Sequence, residues 1–224
     1  MQMASVKKFA ESAVVNMLRH NERAIANPTN EDIDPTRSIE NYSLIDRGVS
    51  AYDYYKERKS ELYCYNRADV KTLAGWIVTA PTDLPLNEYD SFFRSVHDFL
   101  CSRYGERNCV QSIVHADESG QPHLHWLFIP TTIDLKHGGE KICANEVINR
   151  KDLRNFHSDL QNHITNNGIH GTVKTGITKA QGGNRTVKEM KRERQISLET
   201  SKRDLKQSRW RTQENVREYE RERW

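Results

Sequence analysis

Two short runs of sequence decide the fold: Cys109-Val-Gln-Ser-Ile-Val-His115 and, seven residues later, His123-Leu-His-Trp-Leu-Phe-Ile129. Both are rich in the β-branched and aromatic residues that favour extended strands. The connection between them contains Gly120 and Pro122, which are typical of a tight turn. The pattern therefore predicts a β-hairpin.

The sequence on either side of this hairpin predicts one more strand and two helices. Residues 73–80 form a β-rich run that Pro81 ends, and residues 87–103 repeat apolar side chains at helical spacing. A further helix is predicted over 145–166, ending near Gly168. This order predicts an α+β domain, in which an antiparallel sheet carries helices on its faces.

The N-terminal part is predicted to form a helix and then a loop. Apolar side chains over residues 12–25 approximate helical spacing, with Ser12 as the N-cap, and His20 would lie on this helix. The stretch 27–38 is rich in turn-forming residues and contains two prolines. It is predicted to be a surface loop, the kind of segment that often carries function.

Charge along the chain separates a main domain from a tail. The chain has 224 residues and a net charge of +3, but residues 185–224 hold 13 Lys/Arg against 8 Asp/Glu, a net of +5, which leaves 21 against 23 for residues 1–184. The tail is charged with sparse apolar residues, so a solvated C-terminal helix is expected. We predict a domain at 1–184 and a charged helical extension at 185–224.

Composition also excludes several classes of protein. No apolar run approaches the length of about 18 residues that spans a bilayer, and the N-terminus lacks the layout of a signal peptide. The four cysteines form no CxxC pair, which argues against a zinc ribbon or a disulfide scaffold. We therefore expect a cytoplasmic protein without a membrane-spanning segment.

Three histidines of the predicted hairpin form a candidate metal site. His123 and His125 alternate along one strand, so both imidazoles point to the same face. A turn centred near residue 119 or 120 would bring His115 opposite one of them. Three imidazoles with open positions resemble a catalytic metal site, and Asp117 or Glu118 could add a ligand. Imidazole tolerates several metals, so the pattern alone leaves the ion's identity open.

The layout from His115 to His125 resembles the HxDExxPHxH motif of the MobV-type relaxases, also called Pre/Mob plasmid mobilisation and recombination proteins. One additional residue precedes Pro122 in this chain. His20-Asn-Glu-Arg23 resembles the first motif of the same family, and Asp32-Ile-Asp-Pro-Thr-Arg-Ser38 with Asn41-Tyr42 resembles the loop after it. The similarity covers most of residues 1–190.

This resemblance implies an HUH-type endonuclease that nicks one strand of plasmid DNA at the origin of transfer. It implies that His20 is the nucleophile and becomes bonded to the 5′ phosphate, with a divalent ion, manganese or magnesium, held by the three histidines. Glu22 could orient His20 and Arg23 could contact phosphate. DNA contacts are predicted for Arg37, Asn41, Tyr42, Lys174 and Arg185. A homodimer formed through the C-terminal region is also implied.

Several alternatives remain open on the sequence alone. The commoner nucleophile of HUH enzymes is tyrosine, which Tyr42 or the cluster Tyr52-Asp-Tyr-Tyr55 could supply, although packing is an equally good account of that cluster. A rolling-circle replication initiator would use the same chemistry at a replication origin. A noncatalytic DNA-binding module would use the histidines only as structural residues.

Overall fold

A computed structural model describes residues 3–25 and 30–173 and, in the tail, residues 189, 192–193 and 195–208. The strands are β1 (Ala4–Ala10), β2 (Tyr42–Ser43), β3 (Lys71–Thr79), β4 (Cys109–His115), β5 (His123–Phe128), β6 (Thr131–Ile133) and β7 (Glu140–Ile142). The α-helices are α1 (Val14–Asn21), α2 (Ala51–Ser60), α3 (Tyr89–Tyr104), α4 (Ala144–Val147) and α5 (Arg150–Asn166). Short 3-10 helices lie at Glu11–Ala13, Pro35–Glu40, Leu86–Glu88 and Glu106–Asn108.

Five strands form one antiparallel sheet in the order β1-β3-β5-β4-β2. The hairpin of β4 and β5 therefore lies inside the sheet, with β3 on one side and β2 on the other. Strands β6 and β7 form a separate two-stranded ribbon. The predicted class, an antiparallel sheet with helices on its faces, is confirmed.

One face of the sheet carries the larger core, which α3 and α5 cover. Helix α5 places Phe156, Leu160 and Ile164 at intervals of four residues, so that all three are buried. The Phe156 ring stacks on Trp76 of β3 with centroids 3.5 Å apart. Alternation along β5 directs Trp126 to this same core. Aromatic packing between sheet and helices thus holds this face.

The opposite face carries a smaller core beneath α1 and α2. Val14 and Leu18 of α1 pack there with Tyr55 of α2 and with Leu73 and Leu127 of the sheet. Asn21 follows Leu18 by three residues and is also buried, which brings the C-terminal end of α1 against the sheet. This placement brings the end of α1 close to the histidine hairpin.

Two predicted helices differ from those observed. The helix predicted over 12–25 begins at Val14 and ends at Asn21, and Ser12 lies in the 3-10 turn before it, so the predicted Ser12 N-cap is wrong. The helix predicted over 145–166 is two helices. Asn149 separates them, because its side chain accepts hydrogen bonds from the amides of Lys151 and Asp152 and caps α5.

Five elements were absent from the sequence prediction, namely the strands β1, β2, β6 and β7 and the helix α2. Strand β1 contains two adjacent lysines and no regular alternation of apolar and polar residues, β2 is only two residues long, and β6 and β7 have three residues each. Helix α2 has mostly polar residues, yet Ser50 caps it by accepting a hydrogen bond from the amide of Asp53. Pairing and packing with other parts of the chain stabilise these elements.

The described residues of the tail are helical and exposed, including Ile196, Leu198 and Leu205. They belong to a compact unit separate from the one that contains residues 3–173. None of the described helices is long and apolar enough to cross a membrane. The described part of the tail therefore agrees with the predicted charged C-terminal helix.

Candidate active site

The strand register brings the three hairpin histidines together. His115 of β4 pairs directly with His123 of β5, and Ile113 pairs with His125, which places the turn centre at residue 119 as predicted. The ring centroids of His115 and His125 are 4.5 Å apart, those of His123 and His125 are 4.9 Å apart, and those of His115 and His123 are 5.5 Å apart. Three imidazoles therefore converge on one face.

Burial keeps the imidazoles of His115 and His125 neutral at pH 7. Desolvation lowers the pKa of His115 to about 4, and it lowers the pKa of His125 well below its ordinary value. His115 donates its Nε2 proton to the carbonyl oxygen of Asn21 at 2.8 Å, which leaves Nδ1 as a free acceptor. The site therefore presents unprotonated ring nitrogens, the form in which histidine binds a metal.

The residues present fit a divalent cation. One ring nitrogen from each of His115, His123 and His125 lies within 4.8 Å of the others. His115 Nδ1 and His125 Nε2 are buried and have no hydrogen-bond partner. Buried polar atoms without a partner are costly, and a ligand that accepts their lone pairs would remove that cost. Glu118 lies beside the group, with its Oε1 4.0 Å from His123 Nε2.

His20 occupies the last turn of α1, next to this cluster. Its ring centroid lies 6.2 Å from that of His125, in an edge-on arrangement. Burial, followed by the positive charge of Arg23, lowers the pKa of His20 below its ordinary value. His20 is therefore a neutral imidazole at pH 7, with a lone pair available for attack on an electrophile.

The two other residues of the first motif are bound to the protein. The carboxylate of Glu22 accepts a hydrogen bond from Nε2 of Gln111 at 2.8 Å. Arg23 donates through Nε and Nη2 to Asp117 at 2.8 and 2.5 Å, and through Nη2 to Glu118 at 3.0 Å. Asp117, which the sequence singled out as a ligand or acceptor, is thus an acceptor for Arg23.

The predicted surface loop is attached to the histidine hairpin. Ser38 donates to the carboxylate of Asp117 at 2.9 Å, and the side-chain oxygen of Asn41 accepts from the amide of Ala116 at 2.8 Å. Arg37 is exposed and forms an ion pair with Glu40. Of the predicted DNA contacts, Lys174 and Arg185 lie outside the described residues.

The tyrosines proposed as alternative nucleophiles lie away from the histidines. Tyr42 pairs with Val114 and packs against the core of the opposite face, where burial raises its pKa to about 12. Tyr55 is buried and donates to Thr72, and Tyr54 donates to the carbonyl oxygen of Arg107. Tyr52 stacks on Tyr55. Packing is therefore the better account of this cluster, and His20 is the nucleophile candidate that the fold places at the site.

Sequence reasoning missed two polar residues behind the site. Asn21 is buried and donates through its side chain to Gln111 at 3.0 Å, and Gln111 lies on the same face of β4 as His115. The sequence could have indicated Gln111, because residues 111, 113 and 115 of a strand share one face and Gln111 therefore lies on the same face as His115. The carbonyl group of Asn21 carried no signal in the sequence, since any residue supplies one.

Sheet and site together define the HUH relaxase-like class of fold. The profile of the plasmid recombination enzyme family, Mob_Pre, matches residues 1–192. The chain therefore belongs to the plasmid recombination enzyme family.

The chain is similar to plasmid recombination enzymes of several bacteria. It is 29% identical to the one of Streptococcus agalactiae over 85% of this chain and 38% of the relative, and 28% identical to the one of Lactiplantibacillus plantarum over 90% and 56%. It thus spans between about two fifths and just over half the length of these relatives.

Among solved structures, the chain is similar to the MobM relaxase domain bound to plasmid pMV158 oriT DNA in a manganese-bound crystal structure at pH 6.8. The TM-score is 0.69 and the sequence identity is 28%, over 85% of this chain and 97% of that one. The similarity covers nearly the whole of that relaxase domain.

Proposed function

We propose that this chain nicks one strand of plasmid DNA at the origin of transfer and rejoins it by strand transfer, which initiates plasmid mobilisation. The observation that carries the proposal is the neutral imidazole of His20 beside the three convergent histidines of the hairpin. MobM, whose relaxase domain has the same fold, is bound to oriT DNA in its crystal structures.

The three histidines, with Glu118 beside them, would hold a divalent ion. Manganese is the metal bound in the MobM structures, and magnesium is the other candidate. When bound, such an ion would polarise a phosphoryl oxygen and stabilise the charge that develops in the transition state. The neutral forms of His115 and His125 suit this role because protonated imidazole cannot coordinate a cation.

His20 would supply the nucleophile. A ring nitrogen attacks the scissile phosphorus, the bond between phosphorus and nitrogen forms, and the bond to the 3′ oxygen breaks. The 3′ oxygen takes up a proton and leaves as a hydroxyl group, while the 5′ phosphate stays on His20. Attack by a 3′ hydroxyl reverses the step, which is what strand transfer requires.

The same proposal includes the DNA-binding parts and the domain organisation. Residues 1–184 would form the nicking domain, which takes single-stranded or hairpin DNA, and residues 185–224 a helical extension that also mediates a homodimer. Arg37, Asn41, Tyr42, Lys174 and Arg185 remain the predicted DNA contacts. Arg37 is exposed, whereas Asn41 is engaged with the hairpin and Tyr42 lies on the other face of the sheet. Because plasmid DNA lies in the bacterial cytoplasm, the protein would act there.

The test is a nicking assay on supercoiled plasmid DNA that carries the cognate origin of transfer, with manganese or magnesium. Wild type is compared with His20→Ala, with the double variant His123→Ala/His125→Ala, and with His170→Ala as a matched histidine control that lies exposed beside Glu88. We expect nicking and a covalent 5′ adduct with wild type and His170→Ala only.

Other outcomes would contradict parts of the proposal. An adduct formed by His20→Ala would mean that a tyrosine is the nucleophile. Nicking confined to a replication origin would indicate a rolling-circle initiator. DNA binding without nicking under either metal would indicate a noncatalytic module.

A further inference from the structure

The C-terminal end of α1 is joined to the histidine hairpin by a buried ion pair. We propose that Arg23 and Asp117 are a positioning pair that holds His20 over the three-histidine cluster, and that Arg23 does not contact the DNA. The effect of this pair on catalysis rests on the proposed function. The contacts that form the pair are observed in the structure and do not depend on that function.

The geometry of the ion pair fixes the orientation of the Arg23 guanidinium on the Asp117 carboxylate as well as the distance between them. Nε and Nη2 of Arg23 donate to the two different oxygens of the Asp117 carboxylate, at 2.8 and 2.5 Å. Asp117 is fully buried, and the Arg23 side chain is 12% exposed. A two-point contact of this kind prevents rotation of one partner about the other, which a single hydrogen bond would allow.

The backbone transmits this constraint from Arg23 to His20. Arg23 is the one non-glycine residue among the described ones with a positive φ, at 56°. A side chain in this left-handed region costs free energy, so the conformation persists because surrounding contacts hold it. The amide of Arg23 donates to the carbonyl oxygen of His20 at 3.2 Å, and the amide of Ala24 donates to Arg19 at 2.9 Å. The ion pair therefore closes the turn that presents His20.

A second contact fixes the same turn from the sheet. The carbonyl oxygen of Asn21, next to His20, accepts the proton of His115 at 2.8 Å, and the Asn21 side chain donates to Gln111. One end of α1 is thus joined to the first metal-site histidine and, two residues further along the hairpin, to Asp117. His20 has its position set relative to the ligands on both sides.

The charges around Arg23 argue against a role in binding phosphate. Its guanidinium donates to Asp117 and to Glu118, so two carboxylates surround one positive charge. The carboxylate of Asp117 also accepts from Ser38. Nη1 of Arg23 has no partner but is itself buried, and Nε and Nη2 are occupied, so a DNA phosphate could reach the guanidinium only by displacing these carboxylates or opening the packed turn. Loss of Arg23 should therefore misplace the nucleophile and leave DNA affinity unchanged.

The experiment compares Arg23→Asn with Arg103→Gln as a matched control. Asparagine tolerates the left-handed backbone of residue 23, so the change removes the two-point contact with Asp117 without adding backbone strain. Arg103 of α3 also binds two carboxylates, Asp152 at 2.7 Å and Asp159 at 2.8 Å, with an 18% exposed side chain, but on the opposite face of the sheet. Asp117→Asn removes the acceptor of the same pair.

Cleavage is measured at saturating manganese, and DNA binding is measured without metal. Single-turnover cleavage should fall about 100-fold in Arg23→Asn and Asp117→Asn, because a displacement of about 1 Å costs that much rate. The dissociation constant for uncleaved DNA and its salt dependence should stay at wild-type values. Arg103→Gln should lower thermal stability and cleave at the wild-type rate.

In the cleavage and binding measurements, either of two results would overturn the inference. One is cleavage by Arg23→Asn at close to the wild-type rate. The other is weaker DNA binding with a salt slope reduced by about 1, which is the signature of one lost phosphate contact.

Hydrogen exchange tests the inference without any activity. Amides of the turn after α1, at Glu22 and Ala24, should exchange at least about 10-fold faster in Arg23→Asn, since local opening governs their protection, while those of α3 do not change. Unchanged exchange would overturn the inference. Failure of wild type to nick would contradict the proposed function alone, and the exchange result would still decide the positioning role.

Discussion

Both faces of the central sheet bury side chains with planar rings, but the rings have different roles on the two faces. On the face covered by α3 and α5, aromatic rings stack on one another, as Phe156 does on Trp76. On the face covered by α1, the imidazoles of His115 and His125 converge and keep buried acceptor nitrogens without a partner. Buried ring nitrogens without a partner occur on both faces, but those of Trp76 and Trp126 lie within a packed core, whereas those of the histidines converge where one ligand would satisfy them together.

The arginines of the two faces show the same contrast. Arg103 joins α3 to α5 through Asp152 and Asp159. Arg23 joins α1 to the histidine hairpin through Asp117 and Glu118. Near-identical chemistry therefore connects two packing helices on one face and two parts of a candidate active site on the other. Location in the fold, and not residue type, decides which role an ion pair has.

The largest expected effect concerns the histidine face. His125→Ala should lower the nicking rate at least about 1,000-fold, since a metal ligand supplies transition-state stabilisation of several kcal/mol. The free energy of unfolding of the metal-free protein should change by no more than about 1 kcal/mol, because the substitution also removes a buried atom that lacks a partner. Urea unfolding in EDTA and a nicking assay measure the two quantities. If His125→Ala lowered the free energy of unfolding as much as the removal of a core aromatic side chain does, the contrast between the two faces would not hold.

The aromatic face should behave in the opposite way. Phe156→Ala should lower the free energy of unfolding by about 4 kcal/mol, because it leaves a cavity against Trp76 and Phe99. The nicking rate per folded molecule should remain that of wild type. Urea unfolding followed by Trp fluorescence, with nicking measured well below the transition, checks both statements. Loss of nicking in the folded variant would show that the two faces are coupled.

A dependence of stability on pH should come from the histidine face. The pKa of His115 is about 4 in the folded chain and about 6.5 when unfolded, so the unfolded chain binds a proton that the folded chain does not between these values. Its contribution is complete above pH 6.5 and is lost as the pH falls towards 4.

Between pH 7 and pH 5 this residue should cost the metal-free protein about 2 kcal/mol. The measurement is the difference in the free energy of unfolding at the two pH values, for wild type and for His115→Asn in EDTA. We expect a smaller difference in the variant. Equal differences in the two proteins would mean that His115 is protonated to the same extent in both states.

The smallest effect concerns the cap that divides α4 from α5. Asn149→Ala should lower the free energy of unfolding by about 1 kcal/mol, because the amides of Lys151 and Asp152 lose their acceptor. Nicking should be unaffected, since α5 covers the aromatic face. Asn162, an exposed residue later in α5, provides a matched control as Asn162→Ala, for which no loss of stability is expected.

Much of the fold could be predicted because its strongest elements have strong local patterns. The runs at 109–115 and 123–129 and the periodic helix at 87–103 appear in the structure within one or two residues of the predicted bounds. Strand β1 escaped prediction because pairing with β3, and not its own composition, makes it a strand. The break at Asn149 escaped prediction because a cap within a periodic stretch is a weak signal.

The sequence by itself determined the hairpin, the alternation that puts His123 and His125 on one face, and the spacing that pairs His115 with them. These follow from the period of a β-strand, which is a local property. Only the tertiary structure decided that His20 lies beside His125, that Tyr42 faces away, and that Arg23 is held by Asp117. Those contacts join residues about 70 to 105 positions apart, and their geometry depends on how α1 and the loop pack on the sheet, which no local pattern encodes.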